Sequence, residues 1–130
     1  MKMKLGYWLA AMNLIVAAAA SAQSSPTPLS GDQLKELVSG QTLSGDTPDG
    51  PYVIYFPVYG EMRGSRSSNY KDNGAWRVTA DMACGKWDNW WGNKERCWHV
   101  YRDGSKLQWM GPDGETVENL TLVEGNPYNL

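Results

Sequence analysis

The chain is poor in the residues that most chemistry uses. It has one histidine, His99, and two cysteines, Cys84 and Cys97. A nucleophile activated by an imidazole would depend on His99 alone, and its neighbours in an apolar, aromatic strand favour a structural role. Two thiols and one imidazole make a poor zinc set, and His99 stands closer to Cys97 than ligand spacing usually allows. No glycine-rich phosphate loop leads into a helix. The Asp46-x-x-Asp49-Gly50 stretch lacks the alternating oxygens and distant glutamate of a calcium loop. Cations never cluster into a stripe, which excludes nucleic acid as a natural partner. No metal and no cofactor is expected.

Long apolar runs are also missing, except one at the start. Lys2 and Lys4 precede an apolar stretch from Leu5 to Ala20 that only Asn13 interrupts, and Ala20-Ser21-Ala22 follows. This is the pattern of a secretory signal peptide over residues 1–22, with cleavage after Ala22. The run is shorter than the ~20 residues needed to span a bilayer. No stable membrane anchor is expected after cleavage, and the destination is periplasmic or secreted. Without Lys2 and Lys4, the 12 basic residues fall to 10 against 14 acidic, a net charge of −4.

Residues 23–28 are polar, carry two prolines and read as a flexible tether. Residues 29–130 read as one domain. An exported chain with two cysteines pairs them, so a Cys84–Cys97 disulfide is expected, closing a loop worth roughly 3 kcal/mol by chain entropy.

The domain opens with a helix. Ser30 and Gln33 form a capping box, Leu29 and Leu34 a hydrophobic staple, Leu34, Leu37 and Val38 an apolar stripe, and Gly40 a left-handed stop. The rest reads as short strands. These are Tyr52–Tyr59, interrupted by Pro57 and so assigned to an edge or bulge, then Glu61–Arg66, Trp76–Met82, Cys97–Tyr101, Lys106–Met110 and Thr116–Val123. Asp72-Asn73-Gly74, Asp103-Gly104 and Gly111-Pro112-Asp113-Gly114 read as turns. The fold class is therefore mainly β: an antiparallel meander closing into a small barrel or curled sheet, with one N-terminal helix. Closure would remove exposed strand edges.

Together these pieces resemble a family of small exported alphaproteobacterial proteins that carry only a domain-of-unknown-function label. The resemblance rests on the Leu29–Leu34 helix start, the Gly40-Gln41-Thr42-Leu43 step and Gly74-Ala75-Trp76-Arg77-Val78. It also rests on the cysteine pair and the closing Gly125-Asn126-Pro127. It covers most of the chain after the signal and implies a periplasmic, mostly β domain with no implied activity. The tryptophan-rich loop is a departure from that pattern.

That loop is the informative excess. Apart from Tyr7 and Trp8, the chain holds six tryptophans and six tyrosines. Trp87, Trp90 and Trp91 fall between the cysteines, among Asp88, Asn89 and Asn93. Packing is one fate for them: folded back, they would cap a barrel end and supply apolar area to a small domain. Recognition is the other: held rigid by the disulfide, Trp87, Asp88, Asn89, Trp90, Trp91 and Asn93 would present rings and hydrogen-bonding groups to a glycan, a peptidoglycan fragment or a periplasmic protein. The leading expectation is a non-enzymatic binding module of this kind, with inhibition of a cell-wall hydrolase as one variant. Alternatives are a carrier of a small apolar ligand inside the barrel, a hydrolase using Asp88 or Glu95 assisted by His99, and a purely structural envelope protein. Burial of Trp90 and Trp91 separates them.

Overall fold

The computed structural model describes residues 27–48, 50–67, 70–114 and 117–130. The expected signal peptide, its cleavage site and most of the expected tether lie outside the described residues. One helix, α1 (Gly31–Val38), precedes eight strands: β1 (Thr42–Thr47), β2 (Gly50–Tyr55), β3 (Glu61–Arg66), β4 (Tyr70–Val78), β5 (Ala83–Trp87), β6 (Arg96–Asp103), β7 (Lys106–Met110) and β8 (Val117–Val123). Each strand pairs antiparallel with the next, and β8 pairs with β1, closing the meander into a barrel. No described helix is long and apolar enough to cross a membrane.

Closure follows from the two-residue period of the side chains. Inward positions meet around the barrel: Leu43 opposite Ile54, Ile54 opposite Gly64, Met62 opposite Gly74, and Trp76 opposite Gly85. The circuit continues with Ala83 opposite Trp98, Val100 opposite Trp109, Leu107 opposite Leu120, and Leu122 opposite Leu43. At four of these positions a large side chain (Ile54, Met62, Trp76, Trp98) faces glycine or alanine, the alternation by which small barrels fill their interiors. At Gly64 the reason is plain: a Cβ there would come within 2.5 Å of the Trp90 ring and 2.6 Å of the Trp87 ring.

The helix plugs one end. Its capping box is complete, with the Gln33 N–H donating to Ser30 Oγ and the Ser30 N–H to Gln33 Oε1. Leu34 and Val38 enter the core, and Leu29 and Leu37 pack against it. Gly40 leaves the helix at φ 76°, and its N–H donates to the Phe56 carbonyl. The Gly31 N–H donates to the Ala80 carbonyl at 3.0 Å, and a Cβ on Gly31 would lie 1.9 Å from the Thr79 oxygen. Gly31→Ala must therefore lift the helix from the β4–β5 turn. The expected cost is about 2 kcal/mol, read as a lowered urea midpoint. An unchanged midpoint would show that the helix end can shift without loss.

Four points need correction. Asp72-Asn73-Gly74 is no turn but the middle of β4. The strand expected to run through Ala80 and Met82 ends at Val78, and residues 79–82 form the reversal into β5, where the Met82 N–H donates to Thr79 Oγ1. β1 was not expected as a strand, because Ser44, Gly45 and Asp46 have the composition of a turn. Pro57 needs neither edge nor bulge, since β2 ends before it.

Candidate functional site

The tryptophan loop lies at the barrel end opposite the helix. Trp87 is the last residue of β5 and points inward, 2% exposed. A short 3-10 turn, Trp90–Asn93, follows. Trp90 folds into the mouth, 6% exposed, and Trp91 is half-buried beside it. Packing is therefore the dominant fate of the loop's rings, and the loop does not display them outward. Ring centroids are 4.6 Å apart for Trp87 and Trp90, and 6.4 Å for Trp87 and Trp91. Tyr70 stacks on Trp90 at 5.7 Å. Trp91 continues to Trp98 at 6.3 Å, and Trp98 to Trp109 at 6.0 Å.

Asp72 holds the loop in this position. Its side chain points inward from β4 and is buried. It accepts hydrogen bonds from the Asn89 N–H at 2.9 Å, the Asn89 side-chain amide at 3.0 Å and the Trp90 N–H at 2.9 Å. Desolvation pushes its carboxyl upward. The donated bonds from Trp90, Asn89 and the Asn73 backbone outweigh that, so its pKa falls below the ordinary carboxylate value.

The other polar loop residues serve the loop itself. The Asn93 side-chain amide donates to the Asp88 carbonyl at 2.9 Å, and the Asp88 N–H to the Asn73 carbonyl. Asp88, Asn89 and Asn93 are exposed, but the Asn89 side-chain amide donates to Asp72 of β4 and that of Asn93 to the Asp88 carbonyl. Trp91 takes a left-handed backbone, φ 54° and ψ 31°. For a bulky residue this costs of order 1 kcal/mol and persists only where surrounding contacts impose it.

The disulfide joins Cys84 to Cys97, which are directly paired across β5 and β6. It sits on the outer face, where Arg77 Nη2 bonds Glu95 Oε1 at 2.6 Å. That hydrogen bond holds the Glu95 carboxyl below its ordinary range. Glu95 lies within metal-ligand reach of both sulfurs, but these are bonded to each other and offer no thiolate. His99 turns its Nδ1 toward the Asp81 carbonyl at 3.2 Å. Glu95 and His99 are thus each engaged with other groups on the outer face.

Two cavities bear on the carrier and binding readings. One lies in the core between the helix and the mouth, encloses about 30 Å³ and is walled by apolar side chains including Leu34, Trp76, Trp87 and Trp109. That is room for about two waters, far below the 300–1,000 Å³ of a small-molecule pocket. The apolar-carrier reading therefore finds no ready chamber in this conformation.

The other cavity, of about 80 Å³, opens at the mouth between Thr47, Tyr52, Arg66, Trp87, Trp90, Trp91, Arg96 and Glu118. Tyr52 Oη donates to Glu118 Oε2 at 2.8 Å. Burial, that bond and the charges of Glu118 and Asp46 push the Tyr52 phenol above its ordinary range, so it stays a donor. Arg66 lies over the Trp90 ring at 5.5 Å and Arg96 over the Trp91 ring at 4.5 Å. Tyr52 is one of the strand tyrosines that a closed barrel could bring to its mouth, whereas local composition marks neither Glu118 nor the two arginines. Strand parity carries the signal: Arg66 shares a face with Met62 and Gly64, and Arg96 with Trp98 and Val100.

Comparison with protein families, with curated proteins and with solved structures finds no match to this chain.

Proposed function

We propose that the protein is a non-enzymatic binding module of the periplasm whose site is the mouth of the barrel, and that its ligand is a glycan. One observation carries this: three loop tryptophans close around a small, partly polar cavity, with two arginines, a tyrosine and a glutamate at its rim. Aromatic faces beside a few fixed polar groups suit a sugar ring, which is apolar on its faces and polar at its edge. The cavity is concave and small, so it accepts an end or an edge of a ligand. A protein partner would need a broad apolar patch of several hundred Å². The strained backbone at Trp91 also supports a role for that ring beyond filling space. The resemblance to the exported alphaproteobacterial family and the disulfide agree with an oxidising compartment.

The test is a titration of the purified protein with peptidoglycan fragments and a neutral glycan panel, followed by tryptophan fluorescence. Trp91→Gly is the informative variant, because glycine relieves the left-handed backbone while removing the ring. Trp90→Ala would damage the core. Wild type is expected to show a saturable change that Trp91→Gly loses at least tenfold in affinity while keeping its far-UV spectrum. No response to any glycan would sink the reading and favour a structural role.

A further inference from the structure

The rim of the mouth has an uneven supply of hydrogen-bonding groups. Its acids are occupied. Glu118 receives the Tyr52 hydroxyl, and both oxygens of Asp72 receive N–H groups from Asn89 and Trp90. Arg96 differs. It starts β6 in the inward register, opposite Gly85, and lines the mouth cavity. Its guanidinium carbon stands 4.5 Å from the Trp91 ring centroid, and it makes no ion pair with the described residues. A guanidinium held over an aromatic ring by its charge still has N–H groups to offer a ligand. Arg66 brings a second guanidinium to the same cavity from the opposite wall, over Trp90.

We infer that the mouth reads a carboxylate on its sugar ligand, with Arg96 as the anchor. This rests on the glycan-binding reading above and names the ligand's class: an acidic sugar. A guanidinium matches a carboxylate with two parallel N–H···O bonds, and such charge-assisted pairs are the strong ones. The indole of Trp91 beneath Arg96 holds the fork in place at the cavity. The 80 Å³ cavity takes a carboxylate and the adjoining ring edge. The preference must be local, because the whole chain carries a net charge of −2 and would not draw an anion from a distance.

The experiment compares three matched sugars by calorimetry on the purified protein: N-acetylmuramic acid, its methyl ester and N-acetylglucosamine. A fourth probe, N-acetyl-dialanine with a free carboxylate, offers the same charge on a peptide. The acid should bind about tenfold more tightly than its ester. Arg96→Gln should bring the acid down to the affinity of the ester. Arg96→Lys should restore only part of the difference, since an ammonium keeps the charge but not the fork. Arg63→Gln, on the outer face of β3, should change nothing. Equal binding of acid and ester overturns the carboxylate inference and leaves the glycan reading standing. An acid preference that survives Arg96→Gln removes Arg96 as the anchor. Tight binding of the dipeptide without the sugars overturns it in favour of a peptide ligand, and silence from all four probes ends both readings.

Discussion

Asp72→Ala will loosen the mouth of the barrel and destabilise the protein by roughly 3 kcal/mol. The substitution strips the Asn89 and Trp90 main-chain N–H groups of their acceptor, and each such orphan costs about 1–3 kcal/mol where water cannot reach it. Trp90 is then free to swing out, taking its contacts with Trp87 and Tyr70 with it. The measurement is urea unfolding together with tryptophan emission, which should shift to the red as Trp90 meets water. The pH dependence has a definite sign. The Asp72 pKa is lowered in the folded state, so its contribution is complete above the unfolded carboxylate value near 4 and is lost as pH falls through the lower folded value. Wild type should lose stability on acidification below about pH 5, and Asp72→Ala should lose less of it. Glu95 acts in the same direction through Arg77, but that pair is exposed and 0.5 M salt should screen it. An acid profile identical in wild type and Asp72→Ala would remove Asp72 as the loop's clamp.

Breaking the disulfide is expected to have a comparable effect. Cys84→Ala/Cys97→Ala should cost about 3 kcal/mol, or roughly 15 °C in Tm for a domain of this size. The barrel's weakest seam explains why the bond lies there. β5 and β6 share three paired positions, against six for β1 with β2 and six for β3 with β4. A barrel opens where its ladder is shortest, and the disulfide closes that place. Amide exchange should therefore rise first in Ala83–Trp87 and Arg96–Val100 of the variant, while β1–β2 stays protected until global unfolding. Uniform acceleration across all strands would show that the bond stabilises only through the unfolded chain.

Much of the fold was legible from local pattern. The helix announced itself through Ser30, Gln33, Leu34 and Gly40, where capping, staple and stop all agree. β6 and β7 announced themselves through alternation and the Asp103-Gly104 signal, although the loop is Gly104-Ser105 and Asp103 still pairs with Lys106. Turn-type residues used for space were harder to read. Gly45 lies in a strand where a Cβ would come within 2.6 Å of both the Tyr52 ring and Leu120. Gly74 similarly makes room for Met62 and Trp87. Asp72 is in a strand because its carboxylate faces a loop far along the chain. Such choices are set by partners that local composition does not contain. The site shows the same limit. The loop's tryptophans were visible, but their inward turn depends on Asp72, and the arginines that share the cavity come from β3 and β6.

The row of rings from Tyr70 through Trp90, Trp87, Trp91 and Trp98 to Trp109 has an optical consequence. Neighbouring centroids are separated by 4.6–6.4 Å in a fixed, tilted geometry. Transitions on rings so close and so rigidly held couple, and the protein should show intense near-ultraviolet circular dichroism for its size. That signal vanishes when packing loosens, even if the strands persist. The protein thus carries its own gauge of tertiary order, and a ligand entering the mouth would register along the whole row.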